Sequence, residues 1–222
     1  MAACYRAVLF DLDGTLLDTL DDLADSMNAA LASMGYPGHA RDEYRYFVGD
    51  GVRALAERVL PEAAREPGII AKCLGAMEKE YDRRWDNKTR PYDGIPELLD
   101  HLTGMHIKIA ILSNKPNGFT LAVVKKLLSR WDFDKVYGAG PPGIPVKPDP
   151  SGAIRIASEL DIPPREFLYL GDTNTDMRTA ISAGMFPVGA AWGFRTRAEL
   201  EAAGAMAIAD RPSDLLRILT AG

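Results

Sequence analysis

Apolar and polar positions follow two different rhythms along the 222-residue chain. A short apolar run, Ala7-Val8-Leu9-Phe10, leads into Asp11-Leu12-Asp13-Gly14 and predicts a buried strand that ends in two carboxylates. From Asp18 to Lys88 the spacing is helical. Leu20, Leu23, Met27, Leu31 and Met34 mark one amphipathic helix, closed by Gly35. Roughly Gly51 to Leu60 marks a second, ended by Pro61, and Ile70, Cys73, Leu74, Met77, Tyr81 and Trp85 line one face of a third. No strand is predicted in this stretch. It reads as a helical bundle inserted directly after the first strand, with Arg90-Pro91-Tyr92-Asp93-Gly94 as the return linker.

From Ile95 onward helices and strands alternate. Strands are predicted at Lys108 to Ser113, Lys135 to Gly138, Phe167 to Gly171, near Pro187 to Ala190 and near Ala207 to Ala209. Helices are predicted at Phe119 to Leu128, Asp149 to Leu160, up to Ala183, around Arg197 to Ala203 and at the carboxyl end. That order predicts an α/β fold: a Rossmann-like parallel sheet with helices on both faces, plus an inserted helical cap domain. The expected division is a core from residues 1–17 and 89–222, with a cap from 18–88.

Composition narrows the partners. Charged residues are 26 % and hydrophobic residues 47 %, an ordinary globular balance, and the net charge of −5 argues against nucleic acid or an anionic membrane as a bulk partner. An anionic ligand then needs a local positive site. Cys4 and Cys73 have no metal-binding spacing and are expected as free thiols, Cys73 in the core of its helix. Neither a secretory leader nor a run of about 18 to 20 apolar residues is visible, so a cytoplasmic protein is expected.

The chemistry collects at strand ends. Side chains alternate along a strand, so Asp11 and Asp13 are expected on one side and Leu12 on the other. Two carboxylates about 4 Å apart repel by roughly 4 kcal/mol at an effective dielectric near 20, which calls for a cation, a shared proton or a catalytic use. In open parallel sheets ligands bind beyond the carboxyl ends of the strands. There the second strand delivers Ser113-Asn114-Lys115 and the fourth Gly171-Asp172-Thr173-Asn174-Thr175-Asp176, with Lys147-Pro148-Asp149-Pro150 in the loop between. Singly each has a structural explanation: a serine at a strand end, a solvated lysine, an aspartate capping a helix. Their order along the chain turns them into a candidate site.

This constellation resembles the haloacid dehalogenase superfamily of phosphotransferases. Asp11-Leu12-Asp13-Gly14-Thr15 matches the first motif of that family, Ser113 the second, Lys147 the third, and Asp172 with Asp176 the fourth. Leu17-Asp18-Thr19, Val48-Gly49-Asp50-Gly51, Gly171-Asp172-Thr173 and Ala183-Gly184 are most similar to its phosphoglycolate phosphatase-like branch. The resemblance implies a Mg²⁺-dependent phosphatase for small phosphomonoesters. Asp11 is then the nucleophile, giving an aspartyl-phosphate, and Asp13 the general acid and base. Asp11, the backbone carbonyl of Asp13 and Asp172 are the implied Mg²⁺ ligands, with Asp176 orienting them or Lys147. Lys147 neutralises the phosphoryl group, and Ser113, the amide of Asn114 and Thr15 bind it.

In the insert, Gly49-Asp50-Gly51 is a candidate phosphate-facing loop, and Arg53 a candidate for a substrate carboxylate. Trp192-Gly193-Phe194 could wall the site or serve packing; packing is the expectation. The implied partner is a small phosphorylated metabolite, and the assembly a monomer or homodimer. A phosphosugar mutase or an inorganic pyrophosphatase on the same core, or a phosphoaspartate signalling or binding module without turnover, are the alternatives. Asp13 argues against a dehalogenase, and Lys72, Lys79 and Lys88 lie in no recognisable Schiff-base motif.

Overall fold

Ala7–Phe10, β-prone and wholly apolar, forms strand β1 with all four residues buried in a computed structural model that describes residues 5–140 and 143–221. Alternation along the strand sends Val8 and Phe10 into one apolar cluster and Ala7 and Leu9 into another on the opposite face. After β1, the chain forms β2 (Leu17–Asp18), α1 (Leu20–Ser33), α2 (Tyr44–Phe47), α3 (Val52–Val59), α4 (Pro67–Asp82) and β3 (Arg90–Pro91). Then come α5 (Ile95–Gly104), β4 (Lys108–Pro116), α6 (Asn117–Leu127), β5 (Lys135–Ala139), α7 (Ser151–Glu159) and β6 (Phe167–Gly171). The chain closes with α8 (Asn174–Ala183), β7 (Phe186–Ala190), α9 (Arg197–Ala202), β8 (Ala207–Ala209) and α10 (Asp214–Ala221).

Six strands make one parallel sheet in the order β5-β4-β1-β6-β7-β8. Side chains from α5, α6 and α10 cover one face, and those from α7 and α8 the other. This is the expected α/β architecture with both faces buried. Ala7 pairs with Lys108 of β4 on one side and Phe167 of β6 on the other, so the chain reverses its direction of winding at β1. The carboxyl end of β1 is therefore the crevice where ligands bind in such sheets.

Above that edge α1 to α4 bury a separate cluster, in which Leu20, Met27, Leu31, Leu55, Ile70, Cys73 and Met77 meet. Cys73 is buried there and unpaired by a disulfide, while Cys4 lies outside the described residues. Three details depart from expectation. Leu17–Asp18 and Arg90–Pro91 form a two-stranded antiparallel ribbon where a helical start and a plain linker were predicted. Two residues are too few to display alternation. A 3₁₀ turn at Arg41–Glu43 and the four-residue α2 also lack a readable period. Finally, β4 runs on through an irregularity to Pro116, so Ser113, Asn114 and Lys115 belong to its tail.

The return of the chain is fixed by Asp22 of α1. Its buried carboxylate accepts from the backbone N–H groups of Lys88 and Thr89 at 2.9 and 2.8 Å and from the Thr89 hydroxyl at 2.8 Å. No helix among the described residues is long and apolar enough to cross a membrane.

Candidate active site

Four elements converge beyond β1. Asp11 follows β1 directly, Asp172 follows β6, Asp176 sits in the first turn of α8, and Lys147 comes from the loop before α7. Carboxylate oxygens of Asp11, Asp172 and Asp176 lie within 4.8 Å of one another, and all three residues are buried. Lys147 Nζ stands 2.8 Å from Asp11 Oδ1 and 2.6 Å from Asp176 Oδ1, and donates to the Leu112 carbonyl at 3.0 Å.

Asp172, Asp176 and the Lys147 loop each have partners of their own. Thr15 Oγ1 donates to Asp172 Oδ1 at 2.9 Å, and the Phe194 amide donates to Asp172 Oδ2 at 2.8 Å. Thr173 and Asp176 form a capping box at the start of α8, with the Thr173 hydroxyl on Asp176 Oδ2 at 2.6 Å, so one Asp176 oxygen caps the helix while the other meets Lys147. Asn114 brackets the lysine loop: Oδ1 accepts from the Lys147 amide at 2.6 Å, and Nδ2 donates to the Lys147 carbonyl at 3.1 Å. The backbone is packed just as closely. Gly14 has φ +87°, and a Cβ there would overlap the Asp172 carboxylate, as would one on Gly193.

Three carboxylates against one ammonium leave a buried negative excess. Burial first, then Asp176, pushes the Asp11 carboxyl well above its ordinary range, with Lys147 pulling it back. Burial and Asp176 likewise push Asp172 up to about 7. Lys147 goes the other way: burial alone would favour its neutral form, but Asp11 and Asp176 outweigh it and hold the ammonium firmly charged. At 4.8 Å each carboxylate pair repels by about 3.5 kcal/mol at an effective dielectric of 20. The all-oxygen donor set and its unbalanced charge fit a hard divalent cation.

A narrow cleft opens over this floor, lined by Asp11, Asp13, Ser113, Asn114 and Lys115 below and by Leu23, Val48, Val52 and Leu55 of the helical layer above. Asp13 lines the cleft with Asp11, but its two oxygens engage Lys115 at 2.9 and 3.0 Å rather than the cluster. Ser113 is buried at the cleft and its Oγ accepts from the Lys115 amide at 3.1 Å.

The structure does not bring every predicted residue to the cleft. Thr15, expected on phosphate, has its hydroxyl committed to Asp172. Arg53, expected to meet a substrate carboxylate, points outward and pairs with Glu57 at 3.0 Å, because its place on α3 turns it from the apolar face that covers the floor. The Asn114 side chain serves the Lys147 loop and the Gly49 carbonyl, the latter at 3.0 Å, so only its backbone amide remains as a phosphate donor.

Other residues take roles that the sequence did not assign them. Arg195 is buried and donates to the Val48 carbonyl at 3.0 Å and to that of Arg45, tying α2 and the loop after it to the core. Asp50 bonds Arg58 in its own layer and Thr175 of α8 in the other. Trp192-Gly193-Phe194, expected as packing, also works at the site: Trp192 Nε1 holds the Thr15 carbonyl at 3.0 Å while the Phe194 amide holds Asp172. Backbone donors and acceptors such as these leave no mark in a sequence.

The reversal of winding at β1, with a lysine set among carboxylates beneath an inserted helical layer, defines a hydrolase of the haloacid dehalogenase type. The chain belongs to that family: the profile of the haloacid dehalogenase-like hydrolases matches residues 8–190. Within it the protein is a phosphoglycolate phosphatase-like enzyme. It is 31 % identical to the phosphoglycolate phosphatase of Aquifex aeolicus over 214 residues, 96 % of either chain. To that of Thiobacillus denitrificans it is 31 % identical over 182 residues, 81 % of this chain and 80 % of the relative. Among solved structures, a Lactobacillus delbrueckii subsp. bulgaricus protein provisionally named a phosphoglycolate phosphatase superposes with a TM-score of 0.91 at 29 % identity, covering 99 % of both chains. CbbY from Rhodobacter sphaeroides, solved in complex with phosphate, gives 0.78 at 26 % identity over 95 % of this chain and 96 % of that one.

Proposed function

We propose that the protein hydrolyses a small phosphomonoester, phosphoglycolate foremost, through a phosphorylated Asp11 and with Mg²⁺ as cofactor. The observation that carries this reading is the setting of Asp11: at the tip of β1, open to the cleft, paired with Lys147 and crowded by Asp172 and Asp176. The names of the relatives support phosphoglycolate among small esters.

Asp11 attacks phosphorus, forming a new P–O bond as the bond to the alkoxide breaks, and Asp13 gives that alkoxide its proton. Water then attacks the acylphosphate, its proton passes to Asp13, and Asp11 departs as a carboxylate with inorganic phosphate released. Lys147 offsets charge on Asp11 and the phosphoryl oxygens throughout, and Ser113 with the Asn114 amide donates to those oxygens. Asp11, the backbone carbonyl of Asp13 and Asp172 would hold Mg²⁺, with Asp176 in support. When bound, the cation supplies further neutralisation of the transferring group. Residues 18–88 act as the cap, closing over the ester and excluding water.

The test is phosphate release from a panel of phosphoglycolate, hexose phosphates, nucleotides and pyrophosphate, with and without Mg²⁺. Mg²⁺-dependent turnover greatest on phosphoglycolate is expected and should vanish in Asp11→Asn. Isomerisation without phosphate release, equal activity after chelation, or near-normal turnover in Asp11→Asn would each overturn the proposal.

A further inference from the structure

Strand β4 carries a second lysine into the cleft, and the reaction outlined above leaves it without a task. Lys115 is nearly as inaccessible as Lys147, 6 % against 3 % exposed. Its ammonium donates to both oxygens of Asp13 and lies 4.8 Å from the centre of the Tyr81 ring on α4. Tyr81 is braced edge-on by Phe119 of α6 with ring centres 5.1 Å apart, and its buried hydroxyl has no hydrogen-bond partner among the described residues.

A buried ammonium is costly unless its charge is answered. Here Asp13 answers it, with its two oxygens 2.9 and 3.0 Å from the Lys115 ammonium. Lys115 is also the sole cation among the described residues lining the cleft, and it works against four aliphatic side chains, Leu23, Val48, Val52 and Leu55. Those side chains offer nothing to the hydroxyls of a sugar. An anion entering the cleft beside the phosphate would find one charge to meet, that of Lys115.

On the phosphatase reading above, the geometry points to Lys115 as the residue that selects the substrate: it receives a carboxylate carried by the departing part of the ester, and in turning to it loosens its hold on Asp13. Recognition and catalysis are thereby coupled. An ester without the second anion leaves both Asp13 oxygens engaged by Lys115, so discrimination falls on kcat as well as on KM. Tyr81 places the same contact under control of the cap, since the ring beside Lys115 belongs to α4.

The experiment compares 2-phosphoglycolate with 2-hydroxyethyl phosphate, which keeps the framework but replaces the carboxylate by an alcohol, in the wild type, Lys115→Met and Lys115→Arg. The wild type is expected to favour the carboxylate in kcat/KM by about 100-fold, shared between kcat and KM, because the analogue forgoes the charged contact with Lys115 and leaves Asp13 held by it. Lys115→Met should reduce the preference to under about threefold, while Lys115→Arg, which keeps the charge, should retain at least about tenfold. Equal kcat/KM for the two esters in the wild type overturns the assignment, as does a preference that survives in Lys115→Met. The wild-type comparison and Lys115→Arg decide the matter even where Lys115→Met fails to fold. Phosphate release from neither ester defeats the phosphatase reading itself, whereas release from both without preference defeats only the role of Lys115.

Discussion

The floor and the roof of the cleft are built on opposite principles. Beneath it, Asp11, Asp172, Asp176 and Lys147 are buried polar groups, with Asp172 and Asp176 each held by two or more donors from different elements. Above it, Leu23, Val48, Val52 and Leu55 are apolar, and the layer that carries them meets the floor through a few bonds, among them Asn114 to the Gly49 carbonyl, Arg195 to the Val48 carbonyl and Thr175 to Asp50. A buried charge network cannot shift without leaving a group unanswered, whereas an apolar surface fastened at a handful of points can lift and settle again. On the proposed mechanism, the contrast gives bond breaking a fixed frame and leaves the enclosure the part free to adjust.

The severest way to break that contrast is Asp11→Asn on the floor. Loss of the nucleophile should lower kcat by at least about 10⁴-fold while Tm stays within about 3 °C, measured by phosphate release and calorimetry, since one member of a crowded acidic group becomes neutral. Next is the cation. The raised carboxyl of Asp172, about 7 against an ordinary 3.8, means that the metal-free folded protein keeps a proton the unfolded chain gives up. Its stability should therefore fall as pH rises from about 4 to about 7, with the loss complete above that. Mg²⁺ at a hundredfold excess over its Kd should raise Tm by about 5–10 °C, and more at pH 8 than at pH 5. A rise independent of pH would show that the carboxylates are not where the cation acts.

Asp176→Ala should come third, because the same side chain caps α8 and pins Lys147. A loss of about 2–4 kcal/mol in denaturant unfolding and about 100-fold in kcat is expected. The gentlest change falls on the fastening of the roof. Thr175→Val removes the floor partner of Asp50 and should raise KM about threefold, with kcat within about twofold and Tm within about 2 °C. A large fall in kcat there would erase the distinction between floor and roof.

Much of the floor was legible in advance because its residues follow strand ends, and apolar runs such as Ala7–Phe10 and Phe167–Gly171 announce strands strongly. Asp11, Asp172, Asp176 and Lys147 needed only parallel order to be brought together. The roof was readable as helices from their stripes but not as a binding surface, because nothing in the spacing of Arg53 says whether it faces the floor, nor in that of Arg195 that it reaches up to the roof. Arg53 lies outward on a helix, whereas Arg195, in a loop after β7, reaches across to backbone carbonyls. Thr15 misled for a similar reason: its position beside the acids was clear, but the partner it serves, Asp172, lies 157 residues away.

The ribbon joining Leu17–Asp18 to Arg90–Pro91 has a consequence for how such a molecule can be altered. Leu17 faces Pro91 and Asp18 faces Arg90, so the chain departs and returns at neighbouring points about 5 Å apart. Everything between is a cassette with adjacent ends. A turn of a few residues could bridge the gap, and a foreign helical module with similarly close termini could be spliced there without re-threading the sheet beneath.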